Sequence, residues 1–295
     1  MAASLVETVL VESAPAKVNL TLRVLRRRAD GYHDLESLVV FAGGGDRLSF
    51  TPGGALTLTV DGPRAAHAGE IADNLVLKAA RELKARIPGI ALGSFRLEKN
   101  LPVAAGLGGG SADAAAALRL LARANAIAPL DPRLYAAAAA TGADVPVCLD
   151  PRPRLMRGIG EQLSEPIALP PLPAVLVNPG VAVATKLVFA GWTPAAKSDV
   201  DVKLPALAKM SSVEQLLRLL SAQTNDLEAP AIAIAPVIAD TLAALRALVG
   251  CRLARMSGSG ATCFGIFSSD PDAAQAAKIL SAENPNWWVG ETKLG

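Results

Sequence analysis

From Val18 onward apolar residues alternate with polar ones: Val18, Leu20, Leu22 and Val24 against Asn19, Thr21 and Arg23. A period of two marks a half-buried strand, and it places Lys17, Asn19 and Thr21 on one polar face. A basic, turn-like stretch follows from Arg26 to Gly31. Beyond it come an apolar run from Leu38 to Phe41 and short alternating segments near Leu48–Phe50 and Leu56–Val60, each bounded by glycines. This part predicts a sheet. The glycine-rich residues 41–45 read as a loop after the second strand.

The period then changes. Asp73 precedes Leu75, Val76, Ala79, Ala80 and Leu83, a spacing that predicts a helix capped at Asp73 and stopped by Pro88-Gly89. A strand near Phe95–Leu97 leads into the glycine-rich segment 105–110, and the Ala/Leu-rich stretch 111–126 reads as helix. Asp131-Pro132 sets an N-cap before a proline at the first helical position, for a helix running through Ala140 and ending at Gly142. A short strand is expected from Val145. Residues 151–173 hold six prolines and mark a junction, which divides the chain into domains 1–155 and 156–295. After it come a strand at Ala174–Val177, a helix opening at Ser211 or Ser212, and a longer helix from about Ala231 to Val249 closed by Gly250. A strand at Cys263–Phe267, a helix start at Asp270-Pro271 and a last strand around Trp287–Val289 complete the chain. Strands and helices mix without a regular βαβ rhythm, so the fold class is α+β.

A length of 295 residues suits two domains. Hydrophobic residues make up 51% of the chain, yet only 3 Trp, 2 Tyr and 6 Phe are present, so the interior is built from Ala, Val and Leu. Any aromatic outside the core becomes informative. The 29 basic and 27 acidic residues leave +2, without the basic excess that phosphate-backbone binding calls for, so no nucleic acid partner is expected. The mean hydropathy of +0.35 raises the question of a membrane span. The longest uncharged stretch, Pro166–Thr185, is interrupted by four prolines before Asn178, Pro179 and Gly180, and no membrane association is expected. Met1–Val11 carries Glu7 and no basic region, unlike a secretory signal. Cys148, Cys251 and Cys263 show no paired spacing, which points to a reducing, cytoplasmic setting.

The stretch from Leu101 to Asp113 carries the most chemistry. Gly106 and Gly108–Gly110 let backbone N–H groups approach an anion closely, and the helix that follows adds unpaired N–H groups and a positive dipole end. This is a phosphate cradle; on spacing alone, a flexible glycine turn before a helix stays open. A Walker A loop would need Lys after the final glycine, and a dinucleotide fingerprint from Gly106 would need glycine where Ser111 stands. No G-x-S-x-G elbow occurs, and the two histidines, His33 and His67, give a hydrolase triad little support.

Pro102 to Ser111, read as Pro-x-x-x-Gly-Leu-Gly-Gly-Gly-Ser, resembles the ATP-binding motif of the GHMP kinase superfamily. The resemblance extends through Ala14–Leu20, Arg28–His33, Gly142–Pro146, Arg157–Glu161, Asn225–Glu228 and Met256–Ala261, nearly the whole chain in order. The Asp30-Gly31-Tyr32-His33 element narrows it to the branch that phosphorylates a cytidine-diphosphate-linked methylerythritol. It implies a two-domain fold, the N-terminal domain with a left-handed βαβ crossover and the C-terminal one ferredoxin-like. It also implies ATP with Mg²⁺, Asp144 as catalytic base and Lys17 beside the developing charge. Pro102, Val103, Ala104, Ala105, Gly106, Leu107, Gly108, Gly109, Gly110, Ser111 and Ala112 would hold the phosphates, with Asn74 and Lys99 near the adenosine. Asn19, Tyr32, His33, Thr185 and Phe189 would bind the small-molecule substrate, Tyr32 and Phe189 sandwiching the cytosine. Ala104-Ala105 stand where several relatives have glycine. The residues by themselves also suit plainer roles: a turn at Asp144, a strand-end lysine at Lys17, an N-cap at Asn74 and core packing for Phe189. Another small-molecule kinase of the superfamily, acting on homoserine or mevalonate, and a catalytically silent ligand sensor are the competing readings; the retention of Lys17 and Asp144 speaks against the sensor.

Overall fold

The alternation that begins at Val18 does not build one strand. In the computed structural model, which describes residues 9–194 and 212–295, strand β1 (Leu10–Asn19) ends before the pattern does. β2 (Arg23–Arg27) follows after a break in which Leu22 makes a lone parallel bridge to Asn225. Nor is the polar face solvated: Lys17, Asn19 and Thr21 are all buried. Period two specifies which side chains share a face, and a second layer of protein decides whether that face meets water.

The described residues form two compact units, each drawn from separate stretches of chain. Residues 9–16, 44–103 and 109–150 make the first; residues 17–43, 104–108, 151–194 and 212–295 make the second. One passage between them falls at Asp150–Pro151, at the head of the proline-rich stretch, and the others fall within strands or loops. Strand β3 (His33–Pro52) contributes residues 33–43 to the second unit and 44–52 to the first.

In the first unit, β4 (Thr57–Asp61) and β5 (Gly93–Glu98) are parallel neighbours joined through helix α1 (Leu75–Arg86), a βαβ unit, and β5 pairs antiparallel with residues 47–52 of β3. Phe50 and Phe95, opposite one another across that pair, touch with ring centroids 4.5 Å apart. Helix α1 buries Val76, Leu77, Ala79, Ala80 and Leu83 against α2 (Gly109–Ala124) and α3 (Pro132–Thr141). Its cap is Asn74, one residue later than the expected Asp73: the Asn74 side chain accepts from Val76 N. Helix α2 also buries a run of alanines against α4 (Val145–Leu149), which lets the helices pack closely. The strand expected from Val145 is therefore a helix. Pro146 in its first turn, with φ preset for helix, outweighs the β-branched pair Val145 and Val147.

In the second unit, β2 and β6 (Arg154–Gly158) pair antiparallel with β3, and β7 (Gln162–Leu163) pairs with β6. The remainder runs β8 (Leu172–Asn178), helices α5 (Thr185–Gly191), α6 (Val213–Ser221), α7 (Glu228–Ile234) and α8 (Val237–Ala247), then β9 (Cys251–Met256), β10 (Cys263–Phe267), α9 (Asp270–Glu283) and β11 (Trp288–Leu294). Its strands lie in the order β11-β8-β10-β9, all pairs antiparallel. Counted along the chain this is 4-1-3-2, the ferredoxin-like arrangement. The helix expected over 231–249 is two helices, because Pro236 lacks the N–H that a continuous helix would need there. α6 is capped by Ser212, whose side chain accepts from Gln215 N; Ser211, the alternative start, lies outside the described residues. Among the described residues no helix is long and apolar enough to cross a membrane.

The glycine-rich residues 41–45 are not a loop but the middle of β3. A Cβ on Gly45 would stand 2.1 Å from the carbonyl oxygen of Ala14, so the glycine permits an approach that any side chain forbids. Gly45→Val is expected to lower stability by about 2–3 kcal/mol through forced backbone separation, seen as a lower urea midpoint with an unchanged m-value; an unchanged midpoint would refute the close approach.

Candidate active site

The segment Ala104–Gly108 is held in the second unit by its carbonyls. Ala105 O accepts from Thr262 N (3.1 Å), Gly106 O from Ser257 Oγ (3.0 Å) and Leu107 O from Lys17 N (2.8 Å). With three successive carbonyls taken, the N–H groups of the segment are left for a ligand or solvent. Gly106, at φ 76°, has no room for a side chain: a Cβ would lie 2.4 Å from Ser257 O. At Gly108 the Lys17 side chain fills the space, 3.3 Å from a notional Cβ. Ala104 adopts φ 52°, left-handed backbone that costs an alanine about 1–2 kcal/mol, which accounts for glycine being the easier residue there.

Asn19 belongs to the same network. Its N donates to Ser257 Oγ (3.1 Å) and its Nδ2 to Ser37 Oγ (2.7 Å), while Ser37 Oγ donates to Thr21 O (2.6 Å). The Asn19 Oδ1 is buried with no hydrogen-bond partner. An unmet buried acceptor is unfavourable unless a ligand completes it. Asn225 fixes the facing turn by donating through Nδ2 to Met256 O and Gly258 O, both at 2.8 Å. Thr185 and Ser259 join side chain to side chain at 2.9 Å.

Three aromatic side chains of the second unit meet one another. His33 stacks on Phe189, with centroids 5.0 Å apart and 26° between planes, and meets Trp192 edge-on at 5.8 Å. Phe189 is half-buried and also packs on the core, which matches the plainer packing role and leaves part of its side chain accessible. Tyr32 stands apart, 60% exposed at the tip of the β2–β3 hairpin. Burial, followed by the nearby Arg27 charge, pushes the His33 imidazole below its ordinary range. It is thus neutral at pH 7, with one ring nitrogen a donor and the other an acceptor.

In the first unit, Gly109–Ala112 form the first turn of α2, preceded across the loop by Pro102 and Val103. Asp144 is half-buried at the head of α4, and Asn74 acts as the cap of α1. Lys99 is buried between two carboxylates, its Nζ 2.5 Å from Asp46 Oδ2 and 2.7 Å from Asp113 Oδ2. Burial works against the Lys99 charge, but Asp113 and Asp46 outweigh it and the net direction is upward. Two carboxylates share one ammonium, and Asp113 takes the consequence: burial, opposed by Lys99 and reinforced by Asp46, pushes it up to about 7. Its Oδ1 has no partner to offset that burial.

Two family models cover most of this geometry. The GHMP kinases N terminal domain matches residues 74–150 and the GHMP kinases C terminal model matches 204–286. The class is a small-molecule kinase that uses ATP. A 4-diphosphocytidyl-2-C-methyl-D-erythritol kinase of Methylorubrum extorquens is 56% identical over 97% of this chain and 99% of its own. The kinase of the same name from Rhodopseudomonas palustris (strain BisB5) is 55% identical over 96% and 98%. A crystal structure of 4-(cytidine 5'-diphospho)-2C-methyl-D-erythritol kinase superposes with a TM-score of 0.76 at 37% identity, covering 97% of this chain and 99% of that one. The chain belongs to the family of 4-diphosphocytidyl-2-C-methyl-D-erythritol kinases, within the GHMP kinases. A homoserine kinase from Cytophaga hutchinsonii shares the fold, at a TM-score of 0.70 and 18% identity over 99% of this chain and 98% of that one.

Sequence reasoning did not single out Asp46, Ser37 or Trp192, and it treated Asn225 and Asp113 only as members of motifs. The Asp113 carboxyl yields a test. A group whose folded pKa lies above its unfolded value of 3.8 binds more protons folded than unfolded, so its contribution favours folding at low pH and declines as pH rises toward about 7. Urea midpoints between pH 5 and pH 8 should fall on the way up in the parent protein and flatten in Asp113→Asn; an identical slope in both would contradict the assignment.

Proposed function

We propose that this chain transfers the γ-phosphoryl group of ATP to the 2-hydroxyl of 4-diphosphocytidyl-2-C-methyl-D-erythritol, giving the 2-phosphate and ADP, a step of non-mevalonate isoprenoid precursor synthesis. The observation that carries the reading is the carbonyl-side anchoring of residues 105–107, which orients a glycine loop for anion binding beside Lys17 and Asn19. Phosphoryl transfer asks little covalent chemistry of a protein. It needs phosphates held still, charge offset and a hydroxyl in line.

The roles divide accordingly. The N–H groups of Ala104–Gly108, with the first turn of α2 from Gly109 to Ala112, hold the nucleotide phosphates. Pro102 and Val103 lead into that grip, and Asn74 and Lys99 shape the adenosine side. Asp144 accepts the hydroxyl proton, and Lys17 stabilises the charge that develops on the transferring group. Asn19 Oδ1, the unmet buried acceptor, takes a hydrogen bond from the substrate. Cytosine is a flat ring with a polar edge, and Phe189, Tyr32 and the neutral His33 offer faces and hydrogen bonds that match it. Thr185, held by its bond to Ser259, would add a hydroxyl for the same substrate. Residues 1–155 supply the greater part of the nucleotide grip, and residues 156–295 supply Thr185 and Phe189. Mg²⁺ would arrive with ATP, asking few ligands of the protein, and would supply neutralisation of the phosphate charge. None of the three cysteines is in a disulfide, in keeping with a cytoplasmic setting.

A coupled ADP-release assay with ATP, Mg²⁺ and the cytidyl substrate tests the reading. Asp144→Ala should lower kcat by about 10²–10⁴-fold without loss of the folded state. Phe189→Ala should raise KM for the cytidyl substrate by about tenfold or more, the worth of one stacked base, with KM for ATP unchanged. Turnover of homoserine or mevalonate in place of the cytidyl substrate would move the chain to another branch, and ATP binding without ADP release would leave a sensor.

A further inference from the structure

Asp46 and Asp113 have no role in the chemistry assigned above, yet the buried group they form with Lys99 bonds to the chain just before the glycine loop and to the helix just after it. Asp46, on β3, is 1% exposed. Its Oδ1 accepts from Asn100 N (2.6 Å) and from Leu101 N (2.8 Å), the two residues that precede Pro102. Its Oδ2 meets Lys99 Nζ, which in turn donates to Asp113 Oδ2 in α2. A Cβ on Gly109 would lie 3.3 Å from that same Nζ and 3.7 Å from Asp46 Oδ2, so the ammonium sits directly under the start of the helix.

We propose that Asp46 is a positioning residue for ATP: one carboxylate fixes the chain entering the phosphate loop through two backbone N–H groups and fixes the helix leaving it through Lys99 and Asp113. The inference rests on residues 102–112 being the phosphate-binding segment. Charge-assisted hydrogen bonds in a water-free setting are short and directional, and here they tie together residues 99–113. A loop rich in glycine has many conformations to lose when it closes on a phosphate. Anchoring its entry and its exit to one rigid strand removes part of that loss before the nucleotide arrives, which is preorganisation. It also changes the meaning of Lys99. Its ammonium is committed to two carboxylates of the protein, so it reaches ATP through the shape of the loop and not as a free cation.

Steady-state kinetics on Asp46→Ala and the milder Asp46→Asn test this, each with a thermal melt. Asp46→Ala loses every contact of this carboxylate, to Asn100, Leu101 and Lys99, and should raise KM for ATP at least about fivefold, with kcat at saturation and KM for the cytidyl substrate within about twofold of the parent. Asp46→Asn keeps an oxygen for Asn100 and Leu101 but removes the charge facing Lys99, and an intermediate rise of roughly two- to fourfold is expected. If Asp46→Ala fails to fold, the Asn variant carries the test alone. KM for ATP unchanged in a folded variant, or all three constants worsening together, would overturn the proposal. Gly110→Val, measured alongside, separates the two levels. If it raises KM for ATP while the Asp46 variants do not, only the positioning role fails; if neither does, the phosphate loop itself is misassigned.

Discussion

The site depends on the backbone of residues 105–107 lying against the turn at 257–262 with no side chain in between. Gly106 makes that approach possible, and three consecutive carbonyls bonded to Lys17, Ser257 and Thr262 make it specific. Each of those partners has a second duty. Lys17 brings its side chain along Gly108, Ser257 takes the N–H of Asn19, and Thr262 is gripped by Asn178 on the central β8. A glycine-rich loop would otherwise be among the least stable parts of a fold. Here it is bonded to a strand end, a turn and, through Asn178, the sheet of a ferredoxin-like layer.

The buried polar face of β1 follows from the same constraint. Lys17, Asn19 and, just beyond the strand, Thr21 read in the sequence as one wet side, but Lys17 and Asn19 bond to the 104–108 segment and the 257–260 turn, and Thr21 to residues 37–38. Burying polar groups is unfavourable unless each finds a partner. Most do: Thr21 Oγ1 accepts from Leu38 N, and Ser37 bridges Asn19 to Thr21 O. Asn19 Oδ1 does not. Local rules that hold elsewhere in a fold give way where a ligand is meant to finish the bonding.

How much was legible depended on whether the cause was local. Asp131 and Pro132 open α3 through a side-chain cap and a preset φ, and the glycine loop announces itself by composition. The α+β class followed from the mixture of periods. Non-local causes stayed hidden. Glycines 43–45 look like a loop because glycine usually breaks strands, whereas the real reason for Gly45 is the close approach of Ala14 on a distant strand. Asp46 and Lys99 are separated by 53 residues, with no spacing rule to join them. The stacking of His33 on Phe189 likewise joins a hairpin to a helix that no pattern relates. Pro236 is the exception: its signal was local and sufficient to divide α7 from α8.

The passage of the chain between the two units has a temporal side. Residues 17–43 emerge early from the ribosome, but the unit they complete also requires residues up to β11, whose strand pairs at Leu294 with Ala42. At about 5–20 residues per second, synthesis of the intervening chain takes on the order of tens of seconds. During that interval the buried face of Lys17, Asn19 and Thr21 has no cover. The glycine loop, which needs Thr262 and Ser257 for its carbonyls, waits as well. The segment proposed to hold phosphate is thus among the last features of the molecule to form, and neither unit can mature as an uninterrupted piece of nascent chain.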